Sequence, residues 1–468
     1  MNKSKRKPTL FEAMIPMIAI ALLLGIGYGV YKLRIEILLL CASAVAGIVG
    51  LRLGYNWKEM ETGIMDSIRK GMSAMSVVII VGILVGTWII CGTIPMLIYY
   101  GLEIITPSYF LITACIVASI VSLVTGTSYG TAGTIGIAFI GIAQGLGIPL
   151  GQAAGAIVAG AYFGDKLSPF SDTTNLAPVA AKSNLFDHIR HLLWTTTPAW
   201  LLGLLVYLLI GLNYQPDMYN QENLNTILTT IESNFTFHWL LLLPPVIILY
   251  LTIKKKPPIP GMLVSSLAAI ILALFFQDAA IKDSVYSSVF GYKADTGVEI
   301  VDNLLSRGGM IHMMQITLIA FCAFAFAGIA QITGMLDVIL KSISKFTLTV
   351  GRLIASTVLA CISTAIITGS SFLAILIPGE LFAPLYKEKN IAAKNLSRTT
   401  EDAGTVIVPL VPWSIAGVYM AGTLGVDTLE YAPWAIMCYT GFIFSLIYGF
   451  TGFKIAPRIN EDETQIGS

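Results

Sequence analysis

Two aspartates, Asp165 and Asp172, stand seven positions apart in a polar segment that interrupts apolar sequence. Pro169 lies between them and predicts a break in the helix, because proline cannot continue the helical hydrogen-bond pattern. A hard cation such as Na⁺ is bound by carboxylate, hydroxyl and carbonyl oxygens, and a buried carboxylate can instead carry H⁺. The segment therefore predicts a site where Na⁺ and H⁺ compete for the two aspartates. Further oxygen ligands are expected from Ser168, Thr173, Thr174 and Asn175.

A structural interpretation of the same segment is also open. Asp165 and Lys166 can form an interfacial ion pair, and Asp172 can cap the helix that follows it. Lys166 and Arg398 lie beside the interrupted helices and are the cations that an organic anion would contact. A plain Na⁺/H⁺ exchanger would need neither of them.

Two short clusters of threonine, serine and glycine interrupt other apolar runs. The first is Thr125, Gly126, Thr127 and Ser128, and the second is Thr368, Gly369, Ser370 and Ser371. Glycine permits a tight reversal of the chain, and helix ends at such a reversal present N–H groups to anions or carbonyl groups to cations. Both clusters are therefore predicted to bind substrate or ions, although small polar residues also serve simply to pack membrane helices.

A second acidic segment follows the second cluster, as the segment 164–175 follows the first. This matching order predicts that Glu401, Asp402 and Thr405 contribute to ion binding. A solvated helix start is the alternative interpretation, because threonines followed by acidic residues are typical of helix N-termini.

The composition places these residues in a membrane. Of the 468 residues, 56% are hydrophobic and 12% are charged, and the mean hydropathy is +0.79, whereas soluble proteins carry about 25% charged residues. The chain is therefore predicted to be an all-α, polytopic protein in contact with the lipid bilayer. Its net charge of +1 gives no indication of nucleic-acid binding. Uninterrupted spans are predicted at 11–31, 35–54, 74–99, 191–212, 238–253, 259–276, 311–340 and 433–453.

Lysine and arginine predict the orientation of the chain, because cytoplasmic loops are enriched in both. Lys3 places the N-terminus inside, and Lys454 places the C-terminus inside. The loop 55–73, with Lys58, and the loop around Lys255 are also placed inside. The acidic segment 213–237, with Asp217 and Glu222, is placed outside. This orientation requires that 109–147 and 353–386 each begin and end on one side. We therefore favour re-entrant hairpins with polar tips, although two adjacent full spans satisfy the charges equally well.

Three local similarities indicate an internal repeat. Residues 69–72 resemble 307–310, 95–97 resemble 334–336, and 124–129 resemble 367–372, at offsets of 238, 239 and 243 positions. The first basic copy is predicted inside and the second outside, so the halves are inverted, a plan common among secondary transporters. The predicted units are a first repeat, 1–212, with interrupted helix 152–181, an outside loop, 213–237, and a second repeat, 238–460, with interrupted helix 403–421.

Three segments resemble a known family: GTSYGTAGT at 126–134, FGDKLSPFSDTTNLA at 163–177 and EDAGTVIVPLVPW at 401–413. They are similar to the signature segments of the NhaC-type Na⁺/H⁺ antiporters, and the likeness covers essentially the whole chain. Within that family the resemblance is greatest to the malate–lactate antiporters, which implies uptake of malate with H⁺ in exchange for lactate and Na⁺. It also implies a bacterial inner-membrane location, a homodimer, and separate scaffold and transport domains.

The sequence thus predicts an ion-coupled antiporter rather than an enzyme, with Na⁺ and H⁺ as coupling ions, small carboxylates as substrates and no cofactor. A simple Na⁺/H⁺ antiporter without an organic substrate is the first alternative, and an ion channel is a minor one. Residues 126–130 match the G-x-S-x-G pattern of hydrolases, but that pattern needs a histidine partner and a strand-to-helix turn. The four histidines, His188, His191, His238 and His312, lie near predicted span ends and are expected at the membrane interface.

Overall fold

A computed structural model describes residues 5–214, 221–254 and 256–458 of the chain. These residues form helices joined by loops, and their only β-structure is a bridge between Ile391 and Pro457. The predicted all-α class is therefore confirmed. The charges of Lys3, Asp217 and Lys255, the side chain of Glu222 and the last two positions of the predicted second repeat lie outside the described residues.

The helices of the first half begin at recognisable caps. Thr9 and Asn56 each exchange hydrogen bonds with a glutamate three residues later, Glu12 and Glu59, which satisfies backbone N–H groups that the helix leaves free. Wider π-helical turns follow α1 at Leu23–Tyr28 and precede α7 at Ala132–Gly136. The α-helices of this half are α1 (Leu10–Leu22), α2 (Ile35–Arg52), α3 (Trp57–Ile90), α4 (Thr93–Ile104), α5 (Pro107–Thr125), α6 (Ser128–Thr131), α7 (Ile137–Gly145), α8 (Leu150–Leu167), α9 (Asp172–Ala181) and α10 (Leu185–Leu212).

The second half contains a similar series of helices, with 3₁₀ turns at Trp239–Leu242, Val408–Leu410 and Ala432–Trp434. Its α-helices are α11 (Gln221–Asn234), α12 (Leu243–Ile253), α13 (Pro258–Phe276), α14 (Ile281–Phe290), α15 (Glu299–Leu305), α16 (Met310–Ile332), α17 (Met335–Ile343), α18 (Val350–Thr368), α19 (Ser371–Glu388), α20 (Ala393–Gly404), α21 (Ile415–Leu424), α22 (Thr428–Tyr431) and α23 (Ile436–Thr451).

The described chain has eight helices that are long and apolar enough to cross a membrane, or eleven if each of three bent pairs is one span. The protein is therefore a multi-pass membrane protein. The 34-residue α3 is about 51 Å long at 1.5 Å per residue, which exceeds the roughly 30 Å of a hydrocarbon core. Its first turns replace the predicted loop 55–73, because Asn56 caps the helix and it then continues unbroken to Ile90.

Two helical hairpins lie where the sequence predicts them. The first turns at Gly126, with φ of 70°, and the second at Gly369, with φ of 63°. Glycine adopts these left-handed angles without steric cost. The hydroxyl groups of Thr127 and Ser370 then cap the returning helices, α6 and α19. The leading arms, α5 and α18, have 19 residues each and are long enough to cross a membrane.

Each hairpin is followed by an interrupted helix. The break between α8 and α9 contains Pro169, as predicted. The break between α20 and α21 contains Pro409 and Pro412, and the two parts are bent by 48°. This second interrupted helix is predicted over 403–421, but it begins ten residues earlier at Ala393, because the polar residues of α20 are helical and buried.

Landmarks at matching positions support the inverted repeat. Left-handed glycines precede α4 and α17 and end α5 and α18, and serines cap α9 and α21. These pairs are Gly92 and Gly334, Gly126 and Gly369, and Ser171 and Ser414. The second member follows the first by 242 or 243 positions, so Gly334 corresponds to Gly92 rather than to Pro95. Each hairpin tip also contacts its own break, since Gly126 lies against Phe170 and Gly369 against Ser414.

Candidate functional site

The helix α20 is polar, yet the fold buries all of it after Lys394. Residues 395–402, with the sequence NLSRTTED, have side chains that are 0% exposed. Helices α9, α10, α18, α19 and α23 pack around them. The acidic pair Glu401 and Asp402 is therefore part of a polar core, which corrects the alternative interpretation of a solvated helix start.

Lys166 and Asp402 form an ion pair in which both side chains are fully buried. The two residues are 236 positions apart and bring the first interrupted helix against the second. Asp402 also accepts hydrogen bonds from the hydroxyl groups of Thr195 (3.1 Å) and Ser445 (2.6 Å). The ammonium group of Lys166 is thus occupied by Asp402, so a direct contact of Lys166 with an organic anion requires this pair to rearrange.

Asp165 connects the first interrupted helix to the first hairpin tip. Its Oδ2 accepts hydrogen bonds from the backbone N–H of Ser128 (3.2 Å) and from the Ser128 hydroxyl group (2.7 Å). The Asp165 side chain is 8% exposed, so this contact is almost shielded from solvent. The structure therefore brings together two predicted site residues that lie 37 positions apart.

Glu401 is a fully buried carboxylate without a hydrogen bond of full geometry in the described part of the chain. Neither of its oxygens has a hydrogen-bond partner among the described residues. It lies within electrostatic range of Lys166 and Asp165, and the hydroxyl groups of Thr173 and Thr405 are close to it. A buried carboxylate without a hydrogen-bond partner is costly, and inside a membrane protein such a group indicates an ion or proton site.

The remaining polar residues of the first break fix its shape. Ser168 donates to the carbonyl of Leu123 (2.8 Å), and Thr174 donates to the carbonyls of Asp165 (3.1 Å) and Lys166 (3.0 Å). Asn175 donates to the carbonyls of Pro169 (2.9 Å) and Ser171 (2.7 Å) from an exposed position.

Asp172 does not share the buried environment of Asp165. It lies in the first turn of α9 with an exposed side chain, and the cap of α9 is Ser171. The structure therefore places the two predicted Na⁺ ligands in different environments, with Asp165 in the core and Asp172 on the surface of α9. Thr173, between them in sequence and half-buried, lies beside Glu401.

The hydroxyl groups of the hairpin tips mostly bond within their own segments. Thr125 donates to the carbonyl of Val121 (2.8 Å), and Thr127 accepts from the N–H of Gly130 (3.2 Å). In the second tip, Thr368 donates to the carbonyl of Thr364 (2.7 Å). Gly369 accepts from the N–H of Ile415 (3.0 Å), Ser370 caps α19, and Ser371 begins it. The second tip thus contacts the second break, whereas the acidic centre meets the first tip.

Arg398 is fully buried one turn before Asp402 on α20. Its Nη1 donates to the carbonyl of Lys454 (3.1 Å), and the guanidinium group lies 5.9 Å from the ring centroid of Tyr448. Its Nε and Nη2 have no hydrogen-bond partner in the described part of the chain. Arg398 therefore retains unused donors, but these lie toward the end of the molecule that holds Lys454.

Two histidines that the sequence places at the interface belong to the polar core instead. Nδ1 of His188 lies 2.9 Å from the hydroxyl oxygen of Ser397, and Nε2 of His191 lies 3.1 Å from the amide oxygen of Asn395. Both side chains are buried. The spacing of His188, His191 and Thr195 is the signal that could have revealed them, because it places three polar groups on one face of α10.

An aromatic pair lies next to the first hairpin tip. The rings of Tyr129 and Tyr419 stack with centroids 4.2 Å apart and an angle of 9° between their planes. The hydroxyl group of Tyr419 also donates to the carbonyl of Tyr129 (2.7 Å). These contacts pack α21 against Tyr129, the residue that follows Ser128.

Together, Asp165, Lys166, Glu401 and Asp402 form a buried acidic centre at the meeting point of the two interrupted helices. Three carboxylates and one ammonium group leave an excess of negative charge when all are ionised. The described residues contain no group of three or more His, Cys, Asp or Glu side chains arranged to hold a metal ion. The centre is suited to a weakly held monovalent cation or a proton.

Comparison with known proteins connects this arrangement to one family. A family model described as the Na⁺/H⁺ antiporter family matches residues 160–453. An uncharacterised Na⁺/H⁺ antiporter of Haemophilus influenzae is 47% identical over 96% of this chain and 98% of its own length. The Na⁺/H⁺ antiporter NhaC of Alkalihalophilus pseudofirmus is 37% identical over 92% of this chain and 93% of its own length.

Two further similarities complete the comparison. The malate-2H⁺/Na⁺-lactate antiporter of Bacillus subtilis is 36% identical over 96% of this chain and 96% of its own length. The solved structure of Neisseria gonorrhoeae MtrF, from a class of antimetabolite efflux pumps, aligns over 95% of both chains with 14% identity and a TM-score of 0.40.

Proposed function

We propose that this chain, which belongs to the Na⁺/H⁺ antiporter family, exchanges Na⁺ for H⁺. The proposed site is the buried centre of Asp165, Glu401 and the Lys166–Asp402 pair. The observation that carries the proposal is Glu401, a fully buried carboxylate whose oxygens accept no hydrogen bond among the described residues. Such a group is tolerated when a proton or a cation neutralises it. An antiporter supplies these two partners in turn.

Charge balance explains why the two ions exclude each other. Asp165 and Glu401 are the carboxylates of the centre that no basic side chain neutralises through an ion pair within the described chain. Na⁺ binds to ionised carboxylate oxygens, whereas a protonated carboxyl group has lost that charge and is a poor cation ligand. Protonation on one side of the membrane therefore releases Na⁺, and Na⁺ on the other side displaces the proton.

Ser128 links ion binding to movement of the first hairpin. Its N–H and hydroxyl groups both bond to Oδ2 of Asp165, an oxygen that a bound Na⁺ would also use. Ion binding then weakens the contact between the hairpin tip and α8. A ligand can shift a conformational equilibrium only through such differential contacts, so we infer that this contact differs between the two access states.

Glu401→Gln in proteoliposomes tests the proposal. The substitution preserves shape but removes the titrating charge, so Na⁺ efflux driven by an inward proton gradient is expected to fall at least tenfold, while the protein still elutes as a single species. Glu103→Gln is the matched control, because Glu103 is exposed on α4. Unimpaired exchange by Glu401→Gln would remove Glu401 from the mechanism.

A second candidate function is the exchange of malate and H⁺ for lactate and Na⁺. It is supported by the 36% identity to the malate–lactate antiporter of Bacillus subtilis over nearly the whole chain. The similar identity to NhaC supports plain Na⁺/H⁺ exchange to the same degree. Small carboxylates are therefore proposed substrates, and no catalytic activity is proposed.

Na⁺ efflux with and without the two acids separates these candidates. Proteoliposomes receive an inward proton gradient, with external malate and internal lactate either present or omitted. Efflux that requires both acids supports the malate–lactate exchange. Efflux driven by the proton gradient alone supports the plain antiporter and removes the organic acids from the proposal.

The orientation and the repeat units are also proposals. Two hydrogen bonds bring three segments with basic residues together: 345–352, 387–398 and 454–458. They join Ala392 N to Ala456 O (3.0 Å) and Lys389 Nζ to Leu348 O (2.8 Å). This supports a cytoplasmic C-terminus, and Lys5, Arg6 and Lys7 support a cytoplasmic N-terminus. The location in a bacterial cell membrane is proposed from the relatives. A cysteine added at either terminus should then resist an impermeant thiol reagent in whole cells. The dimer implied by the resemblance is proposed likewise, and crosslinking in membranes tests it.

A further inference from the structure

A cavity of about 320 Å³ opens at the end of the molecule that is predicted to face outside. It is lined by the loop before α16, the first turn of α16 and the last turn of α21, with Tyr292 beside them. Tyr419, which stacks on Tyr129, lies one turn before the lining residue Gly422 on α21. The proposed ion site does not include these residues.

Arg307 brings a positive charge without a counter-charge into this cavity. Its side chain is half-buried, and Nη2 donates to the amide oxygen of Gln144. No carboxylate forms an ion pair with Arg307 in the part of the chain that the structure describes. Burial lowers the pKa of Arg307. A partly desolvated guanidinium group with unused donors is complementary to a carboxylate.

Thr423 provides a second polar group in this cavity. Its side chain is 5% exposed, and its hydroxyl group lies near that of Tyr419 but makes no hydrogen bond of full geometry within the described chain. A buried hydroxyl group without a partner is unfavourable. A ligand that contributes both a negative charge and a hydrogen-bonding oxygen would satisfy Arg307 and Thr423 together.

The backbone around Arg307 is fixed before any ligand binds. Gly309, with φ of 88°, donates its N–H to the carbonyl of Gly82 (2.7 Å), and Arg307 accepts from the N–H of Tyr292 (3.0 Å). Glycine allows the loop to approach α3 closely at this left-handed angle. No side chain caps α16 after Gly309, so its first N–H groups add to the positive potential at the cavity.

We propose that this cavity is a binding site for a small carboxylate, with Arg307 as its charge partner and Thr423 as its hydrogen-bond partner. The volume suits an acid of a few carbon atoms, and ligand pockets of this kind begin at about 300 Å³. The inference rests on the proposed exchange of organic acids and assigns a place where the acid is held apart from the ion centre. A cavity that admits only Na⁺ provides no anionic ligand for an arginine without an ion-pair partner.

A purely structural role for Arg307 makes a different prediction. The guanidinium group lies close to Gly425, which ends α21, and a cation at a helix C-terminus stabilises the helix dipole. On that account, substitution of Arg307 lowers thermal stability and leaves carboxylate binding unchanged. Binding and stability must therefore be measured on the same preparations.

Equilibrium binding of radiolabelled malate, and separately of lactate, to the purified full-length protein in detergent tests the site. Arg307→Gln is expected to weaken binding about tenfold or more, since it removes a charge-assisted hydrogen bond. Arg307→Lys should retain part of the affinity, and Thr423→Val should weaken it several-fold without any change of charge. Arg352→Gln is the matched control, because Arg352 is exposed at the start of α18.

The outcomes separate this site from the proposed exchange function. If Arg307→Gln and Thr423→Val bind malate as tightly as the wild-type protein does, the proposed site is wrong, even where acid exchange in proteoliposomes is intact. If malate binding depends on Arg307 but Na⁺ efflux is the same with and without the two acids, the result supports the site. It then contradicts the proposed exchange of malate for lactate. Wild-type protein that binds neither acid at millimolar concentration overturns the site. If Arg307→Gln does not fold, Thr423→Val and Arg307→Lys decide the question.

Discussion

Separating the charges of Lys166 and Asp402 should destabilise the protein more than removing both. Asp402→Asn preserves the shape of the side chain but leaves the Lys166 ammonium group fully buried without its ion-pair partner. Breaking a buried pair from one side costs about 3–5 kcal/mol, whereas replacing both members by neutral groups of similar volume is often close to neutral. The double variant Lys166→Met with Asp402→Asn is therefore expected to recover most of the stability.

The hydrogen bonds predict which of the two single variants is the less stable. Lys166→Met leaves a charged Asp402, but the hydroxyl groups of Thr195 and Ser445 still donate to it. Asp402→Asn leaves the Lys166 ammonium group with no described hydrogen-bond partner besides the altered residue. Asp402→Asn is therefore expected to be the less stable single variant. The coupling between the two substitutions should be at least about 3 kcal/mol in favour of the double variant.

Thermal stability in detergent, followed by size-exclusion chromatography of heated samples, measures this order. Wild type and the double variant should lose monodisperse protein at similar temperatures, with both single variants well below them. Lys387→Met and Asp427→Asn, at exposed positions, control for the chemistry of the substitutions. A double variant no more stable than Asp402→Asn would refute the view that these two charges compensate each other.

Three further predictions concern other parts of the core. Asp165→Asn is expected to reduce Na⁺/H⁺ exchange in proteoliposomes far more than Asp172→Asn, because Asp165 is buried against Ser128 and Asp172 is exposed; the reverse order would move the ion site onto α9. Tyr419→Ala removes the aromatic stack and should raise the leak of Na⁺ in the absence of a proton gradient. Tyr419→Phe retains the stack and should leak little. Equal leaks in the two variants would show that the stack does not block Na⁺. His188→Ala should lower thermal stability by about 1–3 kcal/mol through a lost buried hydrogen bond, and His188→Gln should restore part of it; an unchanged melting profile for His188→Ala would contradict this reading of the contact at 2.9 Å.

Local features of the site could be predicted from the sequence because local chemistry determines them. Pro169 predicts the first break, and Gly126 and Gly369 predict the hairpin turns, since each residue restricts or permits specific backbone angles. The structure has both the break and the turns at these positions. The membrane class follows similarly from composition.

Partnerships across the chain could not be predicted in this way. The pairing of Lys166 with Asp402 joins residues 236 positions apart, and neither local sequence indicates the other. The burial of α20 is also hidden, because a polar helix of this composition is usually found at a surface. The exposure of Asp172 is hidden as well: the sequence predicts it as a ligand beside Asp165, and the structure places it at an exposed position in the first turn of α9.

The burial of Asn395–Gly404 in α20 also constrains how the chain is synthesised. A segment that carries Lys394, Arg398, Glu401 and Asp402 would be rejected by the translocon as an independent span, since each charge costs about 2.5–3.5 kcal/mol at the centre of a helix. It can enter the membrane interior only into a space already enclosed by protein. Helix α23 forms part of that enclosure and is made after α20. The enclosure of α20 is therefore complete only once α23 has been synthesised.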